Sequence, residues 1–134
     1  MTPREIELVQ SSFEKLAPRV DHVADLFYDR LFEVTPEVRA MFSGDMTEQK
    51  KKFAAMLTSS VANLHQLYIV MPQIKELGRR HVADYGVLTE HYALVGGALL
   101  WALQQSFGPE FTPELRAAWT ETYTTLAGAM NGAA

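Results

Sequence analysis

One histidine in this sequence, His81, lies where a side chain could bind a metal ion. Ile74, Leu77 and His81 recur at the three-to-four-residue spacing of the apolar face of a helix. Imidazole is a ligand that iron, copper and zinc accept readily. A lone histidine on such a face can equally be a core residue that hydrogen-bonds a backbone carbonyl. The residue by itself leaves both interpretations open.

The overall composition excludes several classes of protein. The chain has 134 residues, 48% of them hydrophobic and 21% charged, as expected for one globular domain spanning residues 1–134. A net charge of −4 and a single run of three lysines, 50–52, give no basic surface for nucleic acid. Cysteine is absent, which excludes disulfides, thiolate metal sites and thiol nucleophiles. With no signal-peptide pattern and no window of ~18 apolar residues, we expect a cytoplasmic protein without membrane contact.

The elements that must position His81 are helices, beginning in the first half of the chain. Thr2, followed by a proline and then by Glu5, predicts a capped first helix that ends near Pro18. A second helix is expected over residues 19–33, and its wide apolar arc predicts deep burial. A Thr-Pro pair then opens a short third helix over residues 35–42.

The second half of the chain is also helical in pattern. Asp45 and Glu48 have the spacing of a capping box, which predicts a long helix reaching about Gln66 with Gln49 at the head of its inner face. Further helices are expected to begin at Pro72, at Thr89 and at Thr112. No stretch alternates with the period of a strand. The predicted fold class is therefore all-α, with six or seven helices.

Five short motifs, taken in order, resemble the globin family. The resemblance covers essentially the whole chain, and it is strongest to single-domain bacterial haemoglobins related to the globin half of flavohaemoglobins, with similarity also to neuroglobin. It implies a globin fold around a pocket for haem b. The motifs are Leu26-Phe27-Tyr28-x-x-Leu31-Phe32, Pro36-Glu37-Val38-Arg39-x-Met41-Phe42, Leu77-Gly78-Arg79-Arg80-His81, Tyr85-Gly86-Val87 and His91-Tyr92-x-x-Val95-Gly96.

The resemblance implies that His81 is the proximal ligand of the haem iron. One neutral imidazole suffices there, because the porphyrin itself supplies four nitrogens. The other ring nitrogen would donate to a carbonyl one turn earlier, with Leu77 as the natural acceptor. Phe42 matches the phenylalanine that packs on the haem face in globins, although an ordinary core phenylalanine would be buried in nearly the same way.

On the opposite side of the haem, the resemblance places Tyr28 and Gln49 at the distal positions. A phenol and an amide can each donate a hydrogen bond to a ligand on iron, and Phe53, one turn after Gln49, would form an apolar lid. Tyr28 could instead be a core tyrosine bonded elsewhere, and Gln49 could point to solvent.

Several other residues are assigned to the pocket by the same resemblance. Lys52 could reach a haem propionate or could simply be solvated. Four residues are expected to line the pocket, namely Leu77, Val87, Tyr92 and Val95. The remaining histidines are expected to be surface or helix-end residues, namely His22, His65 and His91.

The sequence departs from the flavohaemoglobin pattern in two places. Tyr92 matches a tyrosine that joins a glutamate and the proximal histidine in those proteins, but the sequence ends at Ala134, about where that glutamate would fall. A strongly anionic proximal ligand is therefore not expected. Asp84 is one extra residue between His81 and Gly86 compared with some relatives. It should change the loop after His81 but not the binding of iron by His81.

The expected function is reversible binding of dioxygen with high affinity and slow release, for scavenging or transport, by a monomer or weak dimer. Nitric oxide and carbon monoxide would be further ligands. An enzymatic alternative is nitric oxide dioxygenation, for which a separate reductase would be needed. A third alternative is a helical regulatory module or gas sensor, for which the set of Tyr28, Gln49 and His81 would have no use if haem were absent.

Overall fold

The computed structural model describes residues 1–42, 44–67, 71–76, 79 and 91–133, with only the backbone for residues 129–133. Residues 71–76 are also helical, and no strand occurs in the described ranges, which confirms the all-α fold class. The described α-helices are α1 (Pro3–Leu16), α2 (Val20–Val34), α3 (Thr47–Ala62), α4 (His91–Phe107) and α5 (Pro113–Ala133). Short 3-10 turns cover Ala17–Arg19, Pro36–Met41, Leu64–Gln66 and Gly108–Glu110.

The predicted caps at both ends of the chain are confirmed. Thr2 Oγ1 accepts a hydrogen bond from the Glu5 amide over 3.1 Å, and the Glu5 carboxylate accepts one from the Thr2 amide over 2.8 Å. Thr112 Oγ1 accepts from the Leu115 amide over 3.2 Å at the start of α5. These bonds satisfy amides that lack an acceptor within the first turn of each helix.

The predicted capping box at Asp45 is wrong. Met46 is the residue before α3, and Asp45 Oδ1 instead accepts from the backbone and side chain of Thr47, over 2.7 Å and 2.5 Å. The Asp45 carboxylate therefore bonds to the residue two positions further along, as in an Asx turn, and not to the Glu48 amide as a capping box requires. The same contacts lower the pKa of Asp45.

The long helix also ends earlier than expected. The α-helical part of α3 stops at Ala62, and the chain continues to Gln66 as a 3-10 turn. Asn63 is the residue that follows α3, and its backbone amide and its side-chain Nδ2 both donate to the Ser59 carbonyl, over 3.2 Å and 2.8 Å. Residues 36–41, which were expected to be a short helix, form a 3-10 helix.

The core lies between α2, α4 and the α1–α5 pair. Helix α2 is as deeply buried as its wide apolar arc predicts, with Val23, Ala24, Phe27, Tyr28 and Leu31 inside. Between α1 and α5, the buried Trp119 donates from Nε1 to Ser12 Oγ over 3.0 Å. The side of α2 that carries Phe27 and Tyr28 packs against α3. The candidate site lies at this contact between the two helices.

Candidate functional site

An aromatic cluster joins α2 to α3. Phe27 and Tyr28 are 3% and 4% exposed, and the ring of Phe53 on α3 stacks on Phe27 with centroids 4.4 Å apart. Tyr28 meets Phe53 edge-on at 5.8 Å. Such stacked and edge-on pairs are favourable geometries for aromatic rings. The cluster forms an apolar wall around the phenol group of Tyr28.

A polar pair is built into this wall. Gln49 lies in the first turn of α3, and its Nε2 donates a hydrogen bond to Tyr28 Oη over 3.1 Å. Next to it, Lys50 pairs with Asp25 over 3.0 Å and ties the same turn of α3 to α2. The structure thus brings together Tyr28 and Gln49, and it turns the Gln49 amide towards α2.

Phe42 completes the wall from the segment after the 3-10 turn. Its ring lies edge-on to Tyr28, with centroids 5.9 Å apart, and 5.8 Å from the ring of Phe32. The structure therefore gathers Tyr28, Phe42, Gln49 and Phe53 in one place, as the pocket assignment requires. Lys52 is exposed on α3, and the lysine that pairs with a residue of α2 is Lys50, two positions earlier.

Two tyrosines link α4 to α5. Tyr92, at the start of α4, is 8% exposed, and its hydroxyl has no hydrogen-bond partner among the described residues. Tyr123 on α5 donates from Oη to the Tyr92 carbonyl. Burial raises the pKa of Tyr92, and burial together with the nearby Tyr92 raises the pKa of Tyr123. Both phenols therefore stay neutral at physiological pH.

Glycine at position 96 makes the approach of Tyr123 feasible. A β-carbon at Gly96 would lie 2.7 Å from Cε2 of Tyr123, closer than real side chains approach. Val95, beside it, is partly buried against the core. The Tyr123 contact was not predicted, because the sequence carries no local signal for an aromatic residue 27 positions further along the chain.

Three of the assigned residues lie outside the described residues, namely Leu77, His81 and Val87. The helical residues 71–76 precede them, and Ile74 among these is 2% exposed, as the apolar periodicity through Ile74, Leu77 and His81 requires. His22 and His65 are exposed, in agreement with the expected surface positions, and His91 is partly buried.

The described residues are chemically suited to a flat, mostly apolar cofactor that binds a small ligand. Tyr28 and Gln49 are neutral hydrogen-bonding groups inside an aromatic wall, and charged side chains at this wall stand at its outer edge, as Lys50 and Asp25 do. Among the described residues, the buried Tyr92 hydroxyl has no hydrogen-bond partner, and leaving such an atom unpaired is costly. The Tyr92 hydroxyl is therefore able to hydrogen-bond a polar group that lies beside the start of α4.

Comparison with known proteins identifies the family. The family model described as Globin matches residues 25–130. The chain belongs to the globin family. This globin is 36% identical over 138 residues to neuroglobin of Danio rerio, with 92% of this chain and 86% of that protein covered. It is also 33% identical over 132 residues to the flavohaemoprotein of Bacillus subtilis, which covers 95% of this chain.

This globin spans about a third of the Bacillus flavohaemoprotein, with 32% of its length covered. Among solved structures, it superposes with a TM-score of 0.91 on an engineered carbene transferase, a variant of a candidate nitric oxide dioxygenase from Rhodothermus marinus. That match has 26% sequence identity and covers 98% of this chain and 92% of the other. The six-to-seven-helix globin fold inferred from the sequence is therefore confirmed. Within the described residues, no helix has the length and apolar character needed to cross a bilayer.

Proposed function

We propose that this globin binds haem b and takes up dioxygen reversibly, with high affinity and slow release, in the cytoplasm. The observation that carries the proposal is the hydrogen bond of 3.1 Å from Gln49 Nε2 to Tyr28 Oη, inside a wall formed by Phe27, Phe42 and Phe53. A buried phenol needs a hydrogen-bond partner, and for Tyr28 that partner is the amide of Gln49, the other residue assigned to the distal side.

Haem supplies the ferrous iron at which a diatomic ligand binds. The chain supplies the surroundings of that ligand. Tyr28 and Gln49 would donate hydrogen bonds to it, and each donor to a partly charged acceptor in a dry site is worth about 1.5–3 kcal/mol. This energy corresponds to a release that is slower by about tenfold to a hundredfold per donor. The rings of Phe42 and Phe53 keep water out, which preserves the strength of these bonds.

The proximal side is assigned to residues from α4 and from the segment before it. His81 would hold the iron, with its second ring nitrogen donating to the Leu77 carbonyl. Val87, Tyr92 and Val95 would line the same side. Because Tyr92 is neutral and buried, it can orient a neighbouring group by a hydrogen bond but adds no negative charge there.

An absorption spectrum of the purified protein reconstituted with haemin tests this proposal. A Soret band is expected, and it should shift when dithionite reduces the iron and shift again when oxygen is admitted. A protein that shows no Soret band after reconstitution would rule out the haemoglobin function altogether. A Soret band without an oxygen-dependent shift would leave haem binding but exclude reversible oxygenation.

A second candidate function is nitric oxide dioxygenation, which is favoured by the similarity to a flavohaemoprotein and to the Rhodothermus protein. Nitric oxide and dioxygen would combine to nitrate and consume one electron, which a separate reductase would return to the protein. Nitrate formation over many cycles with a reductase present is the expected result. Nitrate equivalent to a single turnover would exclude the enzymatic function and leave the oxygen carrier.

A further inference from the structure

Arg39 makes an unusual set of contacts next to the distal cluster. It is an exposed residue of the 3-10 helix Pro36–Met41, and its guanidinium donates from Nη1 to the Phe42 carbonyl over 2.7 Å and from Nη2 to the Gly44 carbonyl over 3.1 Å. Its central carbon lies 5.5 Å from the centroid of the Phe32 ring. One side chain therefore holds the backbone at Phe42 and the aromatic ring that packs beside it.

The chemistry of these contacts favours arginine over other cations. A guanidinium is a planar fork with five donors, so it can bond two carbonyls at once and still lie over an aromatic ring. A lysine ammonium is a compact point charge on a flexible stem and cannot satisfy all three contacts. Within the described ranges, Arg39 forms no ion pair with a carboxylate, so its donors are committed to the backbone.

The backbone held by Arg39 leads directly to the site. Phe42 is extended, the backbone at Gly44 is left-handed with φ of +70°, and both carbonyls belong to the connection between the 3-10 helix and α3. The Phe42 ring lies 5.9 Å from Tyr28, which accepts the hydrogen bond from Gln49. A change in the path of this connection would move Phe42 relative to both distal side chains.

We propose that Arg39 is a positioning residue for the distal pocket, which holds Phe42 against Tyr28 and thereby keeps water away from the Tyr28–Gln49 pair. This inference rests on the proposed oxygen-binding function. Its consequence is that an exposed arginine, with no contact to the ligand, controls the rate at which oxygen leaves. Phe32 contributes as the ring on which the guanidinium rests.

The variants Arg39→Ala and Arg39→Lys test the proposal in the haem-loaded protein. Oxygen release, measured by stopped flow, should become faster by about three- to tenfold in Arg39→Ala, and Arg39→Lys should restore only a small part. Two-dimensional NMR of the ferrous carbon monoxide complex should show a weaker cross-peak between the ring protons of Phe42 and Tyr28. Arg30→Ala is the matched control, because Arg30 also lies over an aromatic ring, that of Trp101 on α4 at 5.1 Å, whereas Arg39 lies over Phe32 beside the distal cluster.

A merely structural role predicts a different result. In that case Arg39→Ala and Arg30→Ala would lower the urea midpoint to a similar extent, and neither the oxygen release rate nor the cross-peak would change. That outcome, in a wild-type protein that binds oxygen normally, would overturn the inference alone. A wild-type protein without a Soret band would overturn the proposed function, and the positioning role with it. If Arg39→Ala fails to fold, Arg39→Lys provides the same comparison.

Discussion

The amide of Gln49 donates a hydrogen bond to the hydroxyl of Tyr28 over 3.1 Å, across the contact between α2 and α3. The two residues are 21 positions apart in the chain and belong to different helices. Because each is a polar partner for the other in an aromatic surrounding, neither needs to turn towards solvent in the absence of a ligand. The hydrogen bond therefore holds both polar groups in fixed positions at the contact between α2 and α3.

Removal of either polar group should speed oxygen release, and Tyr28→Phe should have the larger effect. Tyr28 is buried, whereas Gln49 is only partly buried and more open to exchange with water. Stopped-flow release rates should rise by about tenfold to a hundredfold in Tyr28→Phe and by a smaller factor in Gln49→Leu. Gln66→Leu, at an exposed position outside the cluster, is the control and should behave as wild type. Unchanged release in both distal variants would refute distal hydrogen bonding.

Replacement of His81 should abolish stable haem binding. This prediction rests on the sequence, since His81 lies outside the described residues. His81→Ala removes the assigned axial bond to iron, so the Soret band after reconstitution should be lost on gel filtration. His65→Ala changes an exposed histidine and should retain the band. Equal haem retention in the two variants would show that another residue binds the iron.

Alanine at Gly96 should destabilise the protein, and alanine at Gly97 should not. The new β-carbon at position 96 would lie 2.7 Å from the Tyr123 ring, while at position 97 no atom lies within 4 Å among the groups that the structure describes. Overpacking of this kind costs about 1–3 kcal/mol, and Gly→Ala in an open helical position gains about 0.5–1 kcal/mol. Urea unfolding measures the free energy of unfolding of both variants. Two variants of equal stability would mean that the Tyr123 ring moves aside freely.

Stability should fall at alkaline pH because of Tyr92 and Tyr123. The pKa values of both phenols are raised above the ordinary tyrosine value of about 10, so above that pH the unfolded chain loses protons that the folded protein retains. Stability then falls with increasing pH, by up to about 1.4 kcal/mol per pH unit for each such group. Unfolding free energies between about pH 9 and 11 should decline less steeply in Tyr123→Phe than in wild type. Identical slopes in the two proteins would contradict the role of Tyr123.

Much of the helical framework could be predicted from short-range patterns. The Thr2–Glu5 capping box, the threonine cap before α5 and the burial of α2 all follow from residues three or four positions apart, and all are confirmed. The same kind of reasoning failed at Asp45, because the carboxylate has a nearer partner in Thr47. Where two local bonds compete, spacing alone does not reveal which one forms.

The sequence by itself determined the helical fold class, the family resemblance and the identity of the side chains that could serve a haem pocket. Only the tertiary structure decided that Gln49 faces Tyr28 and not solvent, that Lys50 and not Lys52 faces α2, and that Arg39 holds the backbone at Phe42. The physical reason is that caps and apolar periodicity depend on neighbours within one or two turns. Contacts between helices depend on how each helix is rotated and packed against the others, which no local pattern records.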